Sequence, residues 1–354
     1  MKSGFWAEDQ LRHNALHRQR DLITISFFGL ELSAMKYFLM LSIALSGGVS
    51  QAARAQVAPG DVAVQDQWFT GTLEAPSPAL PKADMLVVKP FAIFTRTDGG
   101  YDTKGDYHAT SGSNNFKTVV LMKYGITDRL SIQALPSIAH VDGGNSHYTG
   151  FADLPIEAEY RLNDGNNKTG FPSVTFAAGL NLPTGIYDDL RTSMSGFGTG
   201  SLTVKEQVLL QSLFDTPGGH PMRLRAYAAA YQPLDTASVD NISAYGTRQG
   251  FTGRVHPGAS VVLGIGGGFA FDQRWVVAMD LVYKSAHGFT LDGYDPVDGL
   301  VHSKSGRRST TSFAPALEYN LSGHLGIIAG VDFSIAGHNS ASYYAPQLAV
   351  SMSF

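Results

Sequence analysis

Apolar and polar residues take turns along most of this chain, and most clearly at its end. In Tyr344-Ala-Pro-Gln-Leu-Ala-Val-Ser-Met-Ser-Phe354, the residues Tyr344, Leu348, Val350, Met352 and Phe354 alternate with Gln347, Ala349, Ser351 and Ser353. A period of two places each set on its own face of an extended strand. The same alternation runs through Leu325, Ile327, Ala329, Val331, Phe333 and Ile335, with Gly326, Gly330, Asp332 and Ser334 between them. It recurs in Trp275 to Lys284 and in Leu154 to Arg161. Twelve strands are predicted, at about 85–97, 115–124, 129–141, 151–162, 171–183, 200–212, 221–232, 255–271, 274–286, 309–320, 324–335 and 344–354.

The connections decide the fold class. Short links at Gly125–Asp128, 163–170, 215–220, 271–274 and 321–324 alternate with longer ones at 98–114, 142–150, 184–199, 233–254, 287–308 and 336–343. Strands apolar on one face and polar on the other, joined alternately by short and long links, predict an all-β fold: a transmembrane antiparallel β-barrel over residues 85–354 with short periplasmic turns and longer extracellular loops. An even strand count puts both ends of the sheet on the periplasmic side. The last strand ends on an aromatic residue, Phe354, and is expected to carry the insertion signal read by the barrel-assembly machinery.

Aromatic residues fit the same picture. Tyr124, Tyr160, Phe171, Trp275, Tyr319 and Phe354 fall at strand ends beside short turns, as an interfacial girdle requires. Tyr187, Tyr231, Tyr283 and Tyr343 are the candidates for an upper girdle. Two places break the pattern. Glu206 shares a parity with Val204 and Val208, so its strand either carries a bulge or holds Glu206 above the hydrocarbon. The first strand is apolar on both faces, and residues 56–84 are expected either to stay periplasmic or to plug the barrel and cover it from inside. Their Ala-Pro-Ser-Pro-Ala-Leu-Pro run cannot form a central strand.

The start of the chain implies export. Lys36, the apolar run Tyr37–Leu45 and the later Ala53-Arg54-Ala55 have the layout of a secretory signal peptide over 35–55, with the mature chain starting at Gln56. Its apolar run is shorter than the roughly 20 residues that a spanning helix needs. Residues 1–34 are an upstream extension without a fold pattern. There is no cysteine, which excludes disulfides and thiolate metal sites, and the net charge of −4 argues against a nucleic-acid partner.

Candidate chemistry lies on the inward parity. It collects the cations Lys89, Lys117, Lys123, Arg161, Lys205, Arg223, Arg225 and Lys284 and the anions Glu157, Glu159, Asp280, Glu318 and Asp332. Eight strands give a filled barrel and sixteen an aqueous channel, so twelve give either a narrow pore or a packed polar interior. Charges along a pore set its selectivity, and the cationic surplus favours anionic or aromatic-carboxylate solutes. The alternative is a buried salt-bridge network in a closed barrel whose long loops bind a partner. No catalytic, cofactor or metal site is expected. His140, His287 and Ser285 lie near the upper rim as ingredients for a lipid hydrolase, but no nucleophile-elbow string accompanies them. Asp292, Asp295 and Asp298 lack the pattern of an EF-hand and read as a polar turn cluster. Gly264-Ile-Gly-Gly-Gly268 leads into no helix, so it is not a nucleotide cradle and fits bending, bulging or close packing against an inner plug.

Four strings occur together in the chain: Thr72-Leu-Glu-Ala-Pro-Ser-Pro-Ala-Leu-Pro-Lys82, Lys123-Tyr-Gly-Ile-Thr-Asp-Arg-Leu130, Asp153-Leu-Pro155 with Tyr160-Arg161, and Gly179-Leu-Asn-Leu-Pro-Thr-Gly185. As a set they resemble the outer-membrane transporters grouped as the "MetA pathway of phenol degradation" family, over roughly residues 72–354. The resemblance implies an outer-membrane barrel that passes small hydrophobic or aromatic compounds. It supplies no site residues to carry over. The partners expected are therefore outer-membrane lipid and lipopolysaccharide, the assembly machinery and a small-molecule solute.

Overall fold

The computed structural model describes residues 66–143 and 146–354. The upstream extension expected at 1–34, the signal peptide expected at 35–55 and the first part of the 56–84 segment lie outside the described residues.

Among the described residues eighteen strands form two sheets. In chain order they are β1 (Leu86–Tyr101), β2 (Tyr107–Thr127), β3 (Leu130–Ala134), β4 (Ser137–Gly143), β5 (Ser146–Phe151), β6 (Leu154–Asn163), β7 (Ser173–Leu182), β8 (Thr203–Asp215), β9 (Pro221–Pro233), β10 (Ala237–Asp240), β11 (Thr252–His256), β12 (Ser260–Ala270), β13 (Trp275–Ala286), β14 (Thr290–Asp295), β15 (Gly299–Lys304), β16 (Arg308–Ser322), β17 (Leu325–His338) and β18 (Ser340–Ser353).

The larger sheet has 14 strands, all paired antiparallel, and β1 bonds to both β2 and β18, so the sheet closes on itself. β3 and β4 both pair with β2 and continue one another across Leu135-Pro136. β5 and β6 likewise continue one another across Ala152-Asp153. The barrel therefore has twelve staves. Closure joins the first stave to the last and leaves no open edge at that seam, which lipid demands of a sheet, while β5 is paired on one side only, with β4. Phe354 closes the ring: its N–H donates to the Leu86 carbonyl at 2.9 Å and its carbonyl accepts from the Leu86 N–H at 3.1 Å.

The outer surface is apolar. Leu348 is 48% exposed while its neighbour Ala349 is 1% exposed. Phe116, Met122, Ile132, Phe176, Met279 and Leu317 are exposed in the same way. An apolar belt of this extent around a closed sheet belongs in hydrocarbon. Near the short turns Tyr124, Tyr160, Phe171, Trp275 and Phe354 are exposed, and the Trp275 and Tyr319 rings meet at 4.6 Å. The upper girdle differs from the expectation. Tyr283 faces out, but Tyr231 sits beneath Lys205 at 5.9 Å, the Tyr343 hydroxyl donates to Asp332 at 2.8 Å, and Tyr187 packs in a core of loop residues.

Glu206 lies on the outer face without a bulge, because the registers of β8 with β7 and β9 run unbroken. It stands three residues from the loop-side end of β8, with the outward Val204 and Leu180 lying nearer that end.

The loops hold more structure than the pattern suggested. β1 and β2 rise through 98–114 as a tall hairpin, β4 and β5 enter 142–150, and β17 and β18 turn tightly at Asn339, whose φ is 48°. The strand expected over 255–271 is two elements, because Pro257 supplies no N–H for a ladder. β11 belongs instead to a second, four-stranded sheet, β10-β11-β14-β15. Ala237, Val239, Phe251, Val255 and Leu291 form its core, with Tyr187, Tyr245 and Phe289 packed against it.

Candidate functional site in the barrel lumen

Residues 66–84 precede the first stave and run inside the ring as a strap. The Gln67 side chain donates to the carbonyls of Asp272 and Gln273 at the periplasmic turn between β12 and β13. The strap then rises. The N–H groups of Thr70 and Gly71 donate to Glu318 of β16 at 2.7 and 3.2 Å, and the Glu74 N–H donates to Asp280 of β13 at 2.9 Å. Glu74 is the apex, taking Lys284 of β13 at 3.4 Å and Gln347 of β18 at 3.0 Å. The strap descends through Ser77, whose carbonyl accepts from Lys123, and Pro78, whose carbonyl accepts from Arg161 and Thr175. It leaves at Ala83, whose N–H meets Asp128 in the turn before β3.

Pro76, Pro78 and Pro81 keep the strap out of any backbone ladder, so its carbonyls and amides fall to side chains of the wall. Apolar contacts add to this. Leu73 packs with Ala314, Ile328 and Ala349, and Ala75 with Leu209, Tyr227 and Val282. The glycines of β12 make room for it: a Cβ at Gly266 would overlap an Asp280 carboxylate oxygen and stand 3.0 Å from the Ala75 Cβ. The β12 registers carry no bulge, so close packing is the geometry's account of this run.

The charged inward residues divide into pairs and a remainder. Lys123 meets Glu159 at 2.7 Å, Lys205 meets Glu157 at 2.8 Å, and Arg223 meets Glu318 at 2.8 Å. Lys284 is held by Glu74, and Arg161 reaches Asp164 of the turn after β6 at 3.5 Å. Asp280 takes the Glu74 amide and Asp332 takes the Tyr343 hydroxyl. Among the described residues Lys89, Lys117 and Arg225 have no carboxylate partner within 4.0 Å. Arg225 donates to Gln211, to the Ala75 carbonyl and to Ser77. Lys89 reaches the Thr70 carbonyl at 3.4 Å. The lumen wall and strap thus hold a net surplus of positive charge.

A cavity of about 480 Å³ lies between the strap and the wall of β1 and β2, and it extends down to Gly323 and His324 at the periplasmic turn between β16 and β17. Of the inward charges read from the sequence, Lys89, Lys123, Glu157, Lys205 and Arg225 line it. Trp68 and Glu74 of the strap and Gln133 and Gln347 of the wall line it as well and were not among those residues, because an uncharged side chain or a position on the strap gives no charge signal on a stave.

The rim residues take ordinary partners. Ser285 accepts from Arg307 Nε at 3.0 Å, and His140 Nδ1 lies 2.7 Å from the Thr149 hydroxyl. In the loop sheet Asp292 bonds His302, while Asp295 and Asp298 both hold Arg248 at 3.3 and 3.2 Å.

No protein-family model matches the chain, and no curated protein matches it. Among solved structures it is similar to the COG4313 outer membrane channel from Pseudomonas putida F1, at 17% identity, covering 80% of this chain and 100% of that one, with a TM-score of 0.55. It also matches a TodX monoaromatic hydrocarbon channel deltaS2 mutant at 14% identity (87% of this chain, 97% of that one, TM-score 0.41). The Ralstonia pickettii toluene transporter TbuX matches at 10% identity (84% of this chain, 98% of that one, TM-score 0.37). The first of these likenesses, with the apolar belt and the closed ring, gives the chain the fold of a twelve-stave outer-membrane β-barrel.

Proposed function

We propose that the protein is a passive outer-membrane channel for small solutes, exported by the signal peptide at 35–55, with residues 56–84 as a plug-forming lead-in. The observation that carries this reading is the lumen. It is polar and charged along its length, it keeps a surplus of cations, and it is narrowed by a strap held mainly through side chains rather than by a strand of the sheet. A strap attached in this way can leave without opening the ladder that holds the barrel. The cationic surplus favours anionic solutes. The MetA-type strings support small hydrophobic or aromatic compounds as cargo, and one of them supplies the strap itself. Lipid and lipopolysaccharide surround the belt, and the assembly machinery reads the strand ending at Phe354.

One observation favours a second reading. The strap fills the middle of the lumen and the loops carry a sheet with its own core, which suits a closed barrel that binds a partner through its loops. Swelling of proteoliposomes in small solutes separates the two. Swelling with the full chain, faster with a chain lacking 66–83, supports the channel. No swelling with either chain overturns it. A reversal potential showing cation preference overturns the charge argument.

A further inference from the structure

The inner wall of β1 and β2 departs from the rest of the lumen. Val87, Phe91 and Ile93 of β1 and Val119 and Leu121 of β2 share the inward parity with Lys89, Lys117 and Lys123. Elsewhere that parity is polar or tightly packed. Here an apolar surface borders open space, an arrangement that water fills poorly. Leu80 and Trp68 of the strap line the opposite side of the same cavity. Its 480 Å³ lies within the range of small-molecule sites.

One cation beside this wall is left underused. Lys89 is 8% exposed and carries three donors, yet its partners are the Thr70 carbonyl at 3.4 Å and the face of Phe91, 5.1 Å from the ring centre. The other cations of the cavity are occupied. Lys123 and Lys205 are neutralised by Glu159 and Glu157, and Arg225 makes three hydrogen bonds. The neighbouring carboxylates are engaged as well, Glu318 by Arg223 and the strap amides and Asp280 by the Glu74 amide. A buried, half-satisfied ammonium next to an apolar wall calls for a ligand with one anionic group and a greasy body.

We infer that this cavity is a binding site for small amphiphilic carboxylates, with Lys89 anchoring the carboxylate and the β1–β2 wall holding the apolar part. The inference rests on the channel reading and names its substrate class. Leu121 lies directly across the ladder from Lys89, so a carboxylate placed there would take the ammonium for itself.

The test is calorimetric titration of the full folded chain in detergent with benzoate and with benzyl alcohol, its neutral counterpart. Benzoate should bind at least about tenfold tighter, the size of one charge-assisted hydrogen bond. Lys89→Met should erase that preference, Lys89→Arg should restore most of it, and Leu121→Glu should erase it with the lysine still in place. If Lys89→Met does not fold, Leu121→Glu decides. A preference for benzoate that survives Leu121→Glu, or no preference in the unaltered chain, overturns the site. Benzoate binding without solute flux overturns the channel and leaves the site; flux without benzoate preference does the reverse.

Discussion

Arg223 and Glu318 meet at 2.8 Å in the lumen although β12 and β13 separate their strands, and both are nearly inaccessible, at 2% and 0% side-chain exposure. Glu318 also holds the Thr70 and Gly71 amides, while the Arg223 guanidinium lies 4.3 Å from the centre of the Phe69 ring. The pair therefore ties two distant staves and the strap into one unit. Removing one partner strands a buried charge, so Arg223→Met should cost about 3 kcal/mol or more. The midpoint and slope of reversible guanidinium unfolding in vesicles would measure this. A loss below about 1 kcal/mol, the range of exposed pairs, would contradict it.

The outer and inner faces of β18 should respond oppositely to the same charge. Leu348→Arg places a guanidinium in hydrocarbon and should cost about 2–4 kcal/mol near the midplane. Ser351→Arg points into the cavity, where the charge stays hydrated, and should cost less than about 1 kcal/mol. Equal costs at the two positions would mean that the faces are assigned wrongly.

Phe251 is 1% exposed in the core of the four-stranded loop sheet. Phe251→Ala should weaken that sheet by about 3–5 kcal/mol through the cavity it leaves. The barrel ladder shares none of the hydrogen bonds of that sheet. Limited proteolysis should therefore cut within 237–256 while the staves stay protected. Simultaneous loss of barrel protection would contradict the independence of the two sheets.

At the extracellular turn after β1, the Asp102 carboxylate accepts the Asp106 and Lys104 amides, which hold its pKa below the ordinary value of 3.8. A depressed folded pKa means that the carboxylate supports the turn at all pH values above the ordinary one. That support is lost as pH falls through the folded value. Carbon-13 titration of the Asp102 carboxyl should show a midpoint below 3.8, with amide exchange at Lys104 and Asp106 rising in the same window. A midpoint at or above 3.8 would contradict this.

Much of the barrel was legible because lipid on one side and charge on the other impose a strict parity. The same parity puts Tyr231 on the side of Arg223 and Arg225, and Tyr343 on that of Gln347, so both face inward although their place beside the long loops also suits a girdle. The four-stranded sheet was hidden for another reason. Ala237-Ser-Val-Asp240 and Thr252–His256 are too short for a period to emerge, and the second merged with β12 across Pro257. The strap left no periodic trace because its partners are side chains up to 273 residues away, as with Glu74 and Gln347. Its prolines ruled out a strand, but they do not indicate on which side of the sheet a segment lies.

Single-channel recording in planar bilayers, with the full chain and with one lacking residues 66–83, reads out whether the strap narrows a conducting lumen. The full chain should give discrete, small conductance steps with anion preference. The shortened chain should give steps at least about twofold larger, since a twelve-stave lumen without its strap approaches an open pore. Silence from both chains, in bilayers where each is shown to be inserted and folded, would contradict the account.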